Sequence, residues 1–429
     1  MKKRAAFKTL GCRLNQYETD AIVTDFHEAG YEIVDFSQPA DVYIVNTCTV
    51  TNQGDHKSRQ AISKNRGPMQ NNALTIVTGC MVSNKKGPFL TENANTYIID
   101  NKHKTHVFSV ADAHLRGEIA DISSMPEDVF GFSIVKKGFH TRSTVKIQDG
   151  CDNFCTYCIV PAVRGRAVSR PADEVTDNVK RLIDGGAKEI VLTGVNICRY
   201  KYGHVGFDDL VERIISVPGD FRVRISSIEP EGFTEKFIDL FSNPKLCPNL
   251  HLCLQSGSDK ILLQMRRFYT VKQFTGITEL FRKKYPAFNF TTDVIVGFPG
   301  ETDEDFDDTC RVAEQVGFSH IHTFKYSGRA GTRADRMHGQ ISEKIKNERS
   351  LVIRDISEKM KLHYRKQFIG KTQRILVERT RSRGGARGYG ENYIPVIVAS
   401  DKLLKNEFYE VKLGEILNDK EKTMKAGLV

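Results

Sequence analysis

Residues 149–160 read DGCDNFCTYCIV and place Cys151, Cys155 and Cys158 within eight residues. A disulfide uses thiols in pairs, and a tetrahedral zinc site takes four nitrogen or sulfur ligands. Three crowded thiols therefore complete neither site by themselves. The stretch follows an apolar run directly, which predicts that the thiols lie in a loop at the end of a strand.

Outward from this loop, short apolar runs alternate with amphipathic helical stretches such as EVTDNVKRLIDGG, in which apolar residues lie three and four apart. The runs are residues 144–148, 190–193, 223–226, 250–254, 292–296 and 320–324. Eight such units close a full TIM barrel, whose site lies at the C-terminal ends of the strands. Six units predict a central partial (β/α)6 barrel with the cysteine loop on that functional face.

Three further cysteines each end a β-rich run near the start of the chain. The runs AAFKTLGC, DVYIVNTC and ALTIVTGC end in Cys12, Cys48 and Cys80. Because ligands bind at the C-terminal ends of parallel strands, the pattern predicts an N-terminal parallel α/β sheet whose edge gathers these thiols. The alternative is three cysteines packed in a core, where free cysteine is common.

The end of the chain is basic and β-rich. A charged helical stretch over residues 342–367 leads into three short β-rich runs, and residues 366–429 carry thirteen Lys and Arg against eight Asp and Glu. This composition predicts a small β-barrel that binds nucleic acid. Arginine pairs with phosphate and aromatic rings stack on bases, so the candidate RNA contacts lie beside Tyr389 and Tyr393. They are Arg379, Arg381, Arg383 and Arg387. The alternative is a solvated loop.

Length and composition agree with this division. A chain of 429 residues holds several domains, which we place at residues 1–125, 137–366 and 367–429. The net charge of +10 favours an acidic partner. Nothing resembles a membrane span, and Lys8 interrupts the apolar stretch that a signal peptide needs. We therefore expect a cytoplasmic protein, in which the ten cysteines favour metal ligation or catalysis over disulfides.

Three thiolates can hold a four-iron cluster with one iron left open to a substrate or cofactor. The C-x-x-x-C-x-x-C spacing, with Tyr157 before the last cysteine, resembles the signature of radical S-adenosylmethionine (SAM) enzymes. A zinc knuckle completed by a distant His or Cys is the alternative. The resemblance implies that Tyr157 contacts the adenine of the cofactor. Further cofactor contacts that it implies are Thr193, Gly194 and Asn196 in LTGVN, and Ile295 and Gly297 in VIVGFPGET.

The two cysteine triplets followed by a β-rich tail resemble the methylthiotransferase family over essentially the whole chain. The resemblance implies two [4Fe–4S] clusters, one on Cys12, Cys48 and Cys80 and one on the later triplet. It implies SAM as the cofactor, a C-terminal TRAM domain, and no catalytic residues beyond the cluster ligands. TLGCRLNQYETD at residues 9–20 and GYGENYIPV at residues 388–396 are most similar to the branch that acts on threonylcarbamoyladenosine in tRNA.

The implied partners are the tRNA anticodon stem-loop, a reductant such as flavodoxin or ferredoxin, and a sulfur donor. Three alternatives stay open at this stage. A neighbouring branch modifies isopentenyladenosine in tRNA, and another modifies an aspartate of a ribosomal protein through a tail that is typically acidic. A non-catalytic RNA-binding iron–sulfur protein is the third.

The remaining cysteines have no ligand spacing, which favours core packing. They are Cys198, Cys247, Cys253 and Cys310. His251 and His322 alternate with apolar residues on predicted strands, so they either line the site or pack in the core.

Overall fold

A computed structural model describes residues 2–64, 73–84, 95–134, 141–380, 385–400 and 402–429. The strands are β1 (Arg4–Thr9), β2 (Glu32–Val34), β3 (Val42–Thr47), β4 (Leu74–Gly79), β5 (Thr96–Ile99), β6 (Arg142–Lys146), β7 (Gln148–Asp149), β8 (Val168–Ser169), β9 (Glu189–Thr193), β10 (Lys201–Tyr202), β11 (Val205–Gly206), β12 (Arg222–Ile225), β13 (Ser227–Ile228), β14 (Asn249–Leu252), β15 (Asn289–Val296), β16 (His320–Lys325), β17 (Thr372–Thr380), β18 (Ala386–Tyr389), β19 (Pro395–Val398), β20 (Phe408–Ile416) and β21 (Met424–Leu428). The helices are α1 (Arg13–Glu28), α2 (Asn52–Lys64), α3 (Cys80–Ser83), α4 (Val107–Leu115), α5 (Val160–Arg164), α6 (Ala172–Asp184), α7 (Phe207–Ile215), α8 (Glu235–Leu240), α9 (Asp259–Gln264), α10 (Val271–Lys284), α11 (Asp303–Val316) and α12 (Glu343–Lys366).

The chain forms two compact units. The first comprises residues 1–139, 146–170 and 327–335, and the second comprises residues 140–145, 171–326 and 336–429. The loop with the three crowded cysteines therefore belongs to the same unit as the N-terminal cysteines.

The first unit is built on a parallel sheet in the order β2-β1-β3-β4-β5. Every residue of the central strand β3 is buried, as expected for a parallel strand covered on both faces. Phe26 of α1 and Val107 of α4 pack with Ile44 and Ile76 of the sheet in one apolar cluster. The predicted N-terminal parallel α/β sheet is confirmed.

The second unit contains two parallel sheets, in the orders β12-β9-β6 and β13-β14-β15-β16. The six apolar runs of the sequence overlap β6, β9, β12, β14, β15 and β16. Capping boxes start two of the intervening helices: Thr270 with Gln273 begins α10, and Thr302 with Asp305 begins α11.

The tail forms a closed five-stranded barrel in the order β17-β18-β19-β21-β20 around an apolar cluster that includes Ile375, Val396 and Val411. The predicted small β-barrel is present. Two arginines of β12 hold it against the rest of the second unit. Arg222 Nη2 donates to the Tyr389 carbonyl at 2.9 Å, and Arg224 Nη2 donates to the Gly390 carbonyl at 2.7 Å. Both guanidinium groups also pair with buried Glu189.

Candidate functional site

The N-terminal cysteines lie at the C-terminal ends of three neighbouring parallel strands. Cys12 is the residue before α1 and follows β1, Cys48 follows β3 directly, and Cys80 begins α3 straight after β4. Because β1, β3 and β4 are adjacent in the sheet, the three residues share one edge. Cys48 and Cys80 are buried, and Cys12 is exposed.

Glycine makes the close approach of these loops possible. Gly11 has φ of +99°, and a Cβ placed on it would lie 3.0 Å from Cys48 Sγ, so the loop before Cys12 has no room for a side chain. Burial, with smaller contributions from the nearby Cys80 and Cys12, raises the pKa of the Cys48 thiol to about 11. Without a bound cation, this thiol is therefore protonated at neutral pH.

Polar side chains fix this edge of the sheet. Ser58 Oγ accepts from the Cys48 amide at 3.1 Å and donates to the Cys48 carbonyl at 3.0 Å. Asn15 Nδ2 donates to the carbonyls of Leu10 and Thr47, which precede two of the cysteines. Neither Asn15 nor Ser58 was singled out from the sequence.

The second triplet lies in the loop between β7 and α5. Cys151, Cys155 and Cys158 are all partly exposed, and the Cys158 amide donates to the Cys155 carbonyl at 3.0 Å. Phe154 in the same loop adopts a positive φ of 49°, which is uncommon for a residue with a side chain. The loop is therefore held in a compact and specific conformation. Tyr157 lies in this loop.

The two cysteine loops are in direct contact within the first unit. Cys80 is buried in a cluster with Ile159, the residue after the second triplet, and with Val163 of α5. Asn101 Nδ2 donates to Cys80 Sγ at 3.6 Å and to the Val163 carbonyl at 2.9 Å. The structure thus brings the two triplets into one neighbourhood, which the sequence did not predict from residue spacing.

A buried network of charged side chains lies beside these loops. Arg164 Nη1 bonds Glu18 Oε1 at 2.9 Å and Asp149 Oδ2 at 3.0 Å. Lys146 Nζ lies 2.6 Å from Asp149 Oδ2, and Lys104 Nζ lies 2.6 Å from Glu18 Oε2. Burial would raise the pKa of Glu18, but the three cations hold it well below its usual value. Three cations against two carboxylates leave the network with one excess positive charge.

The predicted SAM contacts outside the cysteine loop lie in the second unit. Thr193 is buried at the end of β9, Gly194 follows it, and Asn196 Oδ1 accepts from Cys198 Sγ at 2.9 Å. Ile295 is partly buried on β15. Gly297 follows that strand with φ of +72°, and its amide donates to Glu301 Oε2 at 2.5 Å. These residues occupy the C-terminal ends of two parallel strands.

The arginines predicted to bind RNA differ in availability. Arg379 is exposed near the end of β17, whereas Arg387 on β18 pairs with Glu421. Arg381 and Arg383 lie outside the described residues. Tyr389 and Tyr393 stack on each other, with ring centroids 5.0 Å apart, and Arg142 lies over both rings. These rings therefore already serve a contact within the second unit.

The remaining cysteines are buried or partly buried, with raised pKa values in which burial is the main cause. Cys253 has a polar setting, because its Sγ lies within 4.8 Å of ligand atoms of His251 and Asp293. His251 Nε2 is 3.1 Å from Asp293 Oδ1, and its ring lies 5.5 Å from that of His322.

The sequence matches known families over both regions that carry cysteine triplets. Residues 145–313 match the Radical SAM superfamily, and residues 4–100 match Uncharacterized protein family UPF0004. The chain is 36% identical over 428 residues to threonylcarbamoyladenosine tRNA methylthiotransferase MtaB of Thermotoga maritima, which covers 98% of this chain and 95% of that protein. It is 37% identical to the protein of the same name from Bacillus subtilis, over 95% of this chain and 93% of that protein.

The chain belongs to the radical SAM methylthiotransferase family. It is also 35% identical to the tRNA-2-methylthio-N(6)-dimethylallyladenosine synthase of Syntrophus aciditrophicus, over 88% of this chain and 84% of that protein. Among solved structures, the radical SAM methyltransferase TsrM of Kitasatospora setae shares the fold with a TM-score of 0.56 at 15% identity, covering 78% of this chain and 77% of that chain.

Membership in this family makes the protein an enzyme of the transferase class that uses SAM and two [4Fe–4S] clusters. The donor set of each triplet fits such a cluster, because iron–sulfur clusters are ligated by cysteine thiolates. Cys12, Cys48 and Cys80 share one edge of the first sheet, and Cys151, Cys155 and Cys158 lie in one loop. No helix in the described residues is long and apolar enough to span a membrane.

Proposed function

We propose that the enzyme adds a methylthio group to C2 of N6-threonylcarbamoyladenosine beside the anticodon of tRNA, giving the 2-methylthio derivative. The contact between the two cysteine loops carries the proposal for the chemistry, because both triplets belong to one compact unit. The MtaB names of the 36–37% identical relatives support the substrate. The similarity of residues 9–20 to that branch is a second support.

In this proposal Cys151, Cys155 and Cys158 hold the cluster that binds SAM, and Cys12, Cys48 and Cys80 hold the auxiliary cluster. With the cofactors bound, one cluster supplies radical initiation and the other supplies the sulfur. The protein itself supplies position and electrostatics. Asn101 links Cys80 to α5, the helix after the second triplet, and burial of Cys48 and Cys80 keeps water from two of the three auxiliary thiolates.

SAM binds, in this proposal, along the C-terminal strand ends of the second unit. Thr193, Gly194 and Asn196 face its methionine part, and Ile295 and Gly297 flank its adenine. Tyr157 contacts the adenine edge. We interpret the two parallel sheets as a partial (β/α)6 barrel, whose strand ends are the customary place for such a site.

The tail is, in this proposal, a TRAM-type RNA-binding module. Arg379 is the described arginine best placed for phosphate contact, because it is exposed and lies near the end of β17. Arg381 and Arg383 complete the proposed basic surface, and Arg387 contributes if its pair with Glu421 opens. The target adenine must leave its stack, which costs little in a single-stranded loop. A cytoplasmic location, a reductant such as flavodoxin or ferredoxin and a sulfur donor complete the proposal.

A second candidate substrate is isopentenyladenosine in tRNA, because dimethylallyladenosine synthases are 32–35% identical over most of the chain. Reconstituted enzyme incubated with each hypomodified tRNA, followed by mass spectrometry of the nucleosides, separates the two. We expect methylthiolation of the threonylcarbamoyl substrate. Methylthiolation of the isopentenyl substrate alone would overturn the substrate assignment and leave the chemistry intact.

A further inference from the structure

α12 packs along β16, the edge strand of the four-stranded sheet in the second unit, on the side to which the Lys325 side chain points. On β16, the Ile321 amide donates to Ser357 Oγ of α12 at 2.9 Å, and Lys325 Nζ donates to Asn347 Oδ1 of the same helix at 2.9 Å. Side chains alternate along a strand. His320, His322 and Phe324 therefore point to the face away from α12.

Polar side chains from three strands meet on that face. Asp293 of β15 is the cross-strand neighbour of His322, and Thr291 is the neighbour of both His251 and His320. His251 Nδ1 lies 2.9 Å from Thr291 Oγ1, and His251 Nε2 lies 3.1 Å from Asp293 Oδ1. The rings of His320 and His322 are 4.4 Å apart. We call His251, Asp293, His320 and His322 the imidazole face.

The imidazole face is open enough to receive a ligand. The side chains of His251 and Asp293 are 16% and 28% exposed, and His322 is an exposed residue. His320 Nδ1 is buried and has no hydrogen-bond partner within the described residues. Burial lowers the pKa of His320 to about 3, with His322 and Lys361 as further causes, so this ring is neutral. Hydrogen-bond donors and acceptors thus line an accessible surface, which is unusual for a core.

The position of this face relates it to the proposed site. Thr291, Asp293 and Ile295 are the partly buried residues of β15, and they alternate with fully buried ones. Asp293 and Ile295 therefore share a face, about 7 Å apart along the strand. Ile295 is a proposed contact of the SAM adenine. The imidazole face therefore lies on the same surface as Ile295, two residues nearer the start of β15.

We propose that the imidazole face receives the N6 substituent of the target adenosine, with His322 donating to its carboxylate and Asp293 accepting from its hydroxyl. This inference rests on the proposed function and adds the residues that select the substrate. A threonylcarbamoyl group carries a carboxylate, a hydroxyl and ureido N–H groups, which match both kinds of partner. An isopentenyl group carries none, so it would cover Asp293 and His322 with apolar surface and offer them no hydrogen bond in place of water.

Three anticodon stem-loops test the inference: one with threonylcarbamoyladenosine, one with isopentenyladenosine and one with unmodified adenosine. The wild-type enzyme is expected to bind the first more tightly than the third. In His322→Phe this difference disappears, and kcat/KM on the first falls roughly 10- to 100-fold, the range for one lost hydrogen bond to a charged group. Affinity for the unmodified stem-loop stays unchanged. His322→Asn keeps an N–H donor and recovers part of the loss.

His204→Phe is the matched control, because His204 is exposed in the turn between β10 and β11. It is expected to behave as wild type on all three RNAs. Iron content and circular dichroism verify that each variant folds, and His322→Asn carries the test if His322→Phe does not. Equal losses on all three stem-loops, or none, would overturn the inference. Stoichiometric zinc that is lost in His251→Ala would also overturn it, by assigning these side chains to a metal. Wild-type activity on the isopentenyl stem-loop alone would instead contradict the proposed function.

Discussion

The side-chain amide of Asn101 donates a hydrogen bond to Sγ of Cys80 at 3.6 Å. The same amide donates to the Val163 carbonyl, so one side chain links Cys80 to α5, the helix that follows the second triplet. Hydrogen bonds to ligand sulfur stabilise the more negative reduced state of an iron–sulfur cluster and so raise its reduction potential. With Cys80 as a ligand of the auxiliary cluster, as proposed, Asn101 is placed to tune that cluster while it holds α5, the helix after the second triplet.

We predict that Asn101→Leu lowers the potential of the auxiliary cluster by roughly 40 mV, which corresponds to about 1 kcal/mol in a one-electron couple. The measurement is a redox titration followed by electron paramagnetic resonance, in a background with Cys151, Cys155 and Cys158 replaced by Ala. Asn418→Leu on the surface is the control. An unchanged potential in Asn101→Leu would show that the 3.6 Å contact has no electrostatic effect.

Iron content should follow the two triplets. Anaerobically reconstituted protein is expected to hold roughly eight irons, four on each triplet. Replacing Cys151, Cys155 and Cys158 with Ala halves the iron and abolishes 5′-deoxyadenosine formation. Replacing Cys12, Cys48 and Cys80 halves the iron but leaves some uncoupled SAM cleavage. A wild-type value of four, with the first triplet unligated, contradicts the two-cluster assignment.

Removing the Glu18 carboxylate, the centre of the buried network, should lower the free energy of unfolding. Glu18→Gln leaves Lys104 and Arg164 without their shared anionic partner, and an unpaired buried charge costs roughly 3–5 kcal/mol. Urea denaturation of the anaerobic protein measures the loss. Glu32→Gln is the control, because its pair with Arg4 is more than half exposed on the Glu32 side, and exposed pairs contribute little. A loss below 1 kcal/mol for Glu18→Gln would contradict the network's structural role.

The ionised Glu189 is expected to make the stability of the second unit depend on pH in the acid range. Burial opposes its ionisation, but Arg222, Arg224 and Arg142 lower its pKa from 4.5 to about 2. The folded pKa is below the unfolded one, so this stabilisation is present above about pH 4.5 and is lost as the pH falls toward 2. The ionised Glu189 contributes about 3 kcal/mol to the free energy of unfolding. Urea denaturation of apo-protein between pH 5 and 3 is expected to show a shallower decline in Glu189→Gln. If the stability of Glu189→Gln and of the wild type fell equally with pH, Glu189 would not be the source of the acid dependence.

Exposed and paired arginines of the tail should affect RNA binding differently. Arg379→Ala is expected to weaken tRNA binding and to reduce the slope of log K against log salt by about 1, because one phosphate contact is lost. Arg387→Ala should have a smaller effect, since Glu421 already neutralises that guanidinium. Arg311→Ala on the exposed surface of α11 is the control. Unchanged affinity in Arg379→Ala removes this residue from the RNA surface.

The cysteine edge of the first sheet could be predicted from sequence because each thiol ends a strand, and parallel topology aligns strand ends. The contact between Cys80 and the later loop could not, since packing between distant segments leaves no periodic pattern. Buried charges such as Glu18 and Lys104 look like surface residues in a sequence, because only the fold decides their burial. The Arg142 guanidinium over the Tyr389 ring could not be predicted either, because the two residues are far apart in the sequence.

The attachment of the tail through Arg222 and Arg224 limits how this enzyme can be recombined with its relatives. A chimera that exchanges only residues 370–429 would have to present carbonyls to two guanidinium groups that evolved with a different loop. If the new loop did not present these carbonyls, the guanidinium groups of Arg222 and Arg224 would lose hydrogen bonds that they make here. Productive crossovers should therefore carry β9 and β12 together with the barrel, so that the segment to be exchanged is larger than the barrel itself.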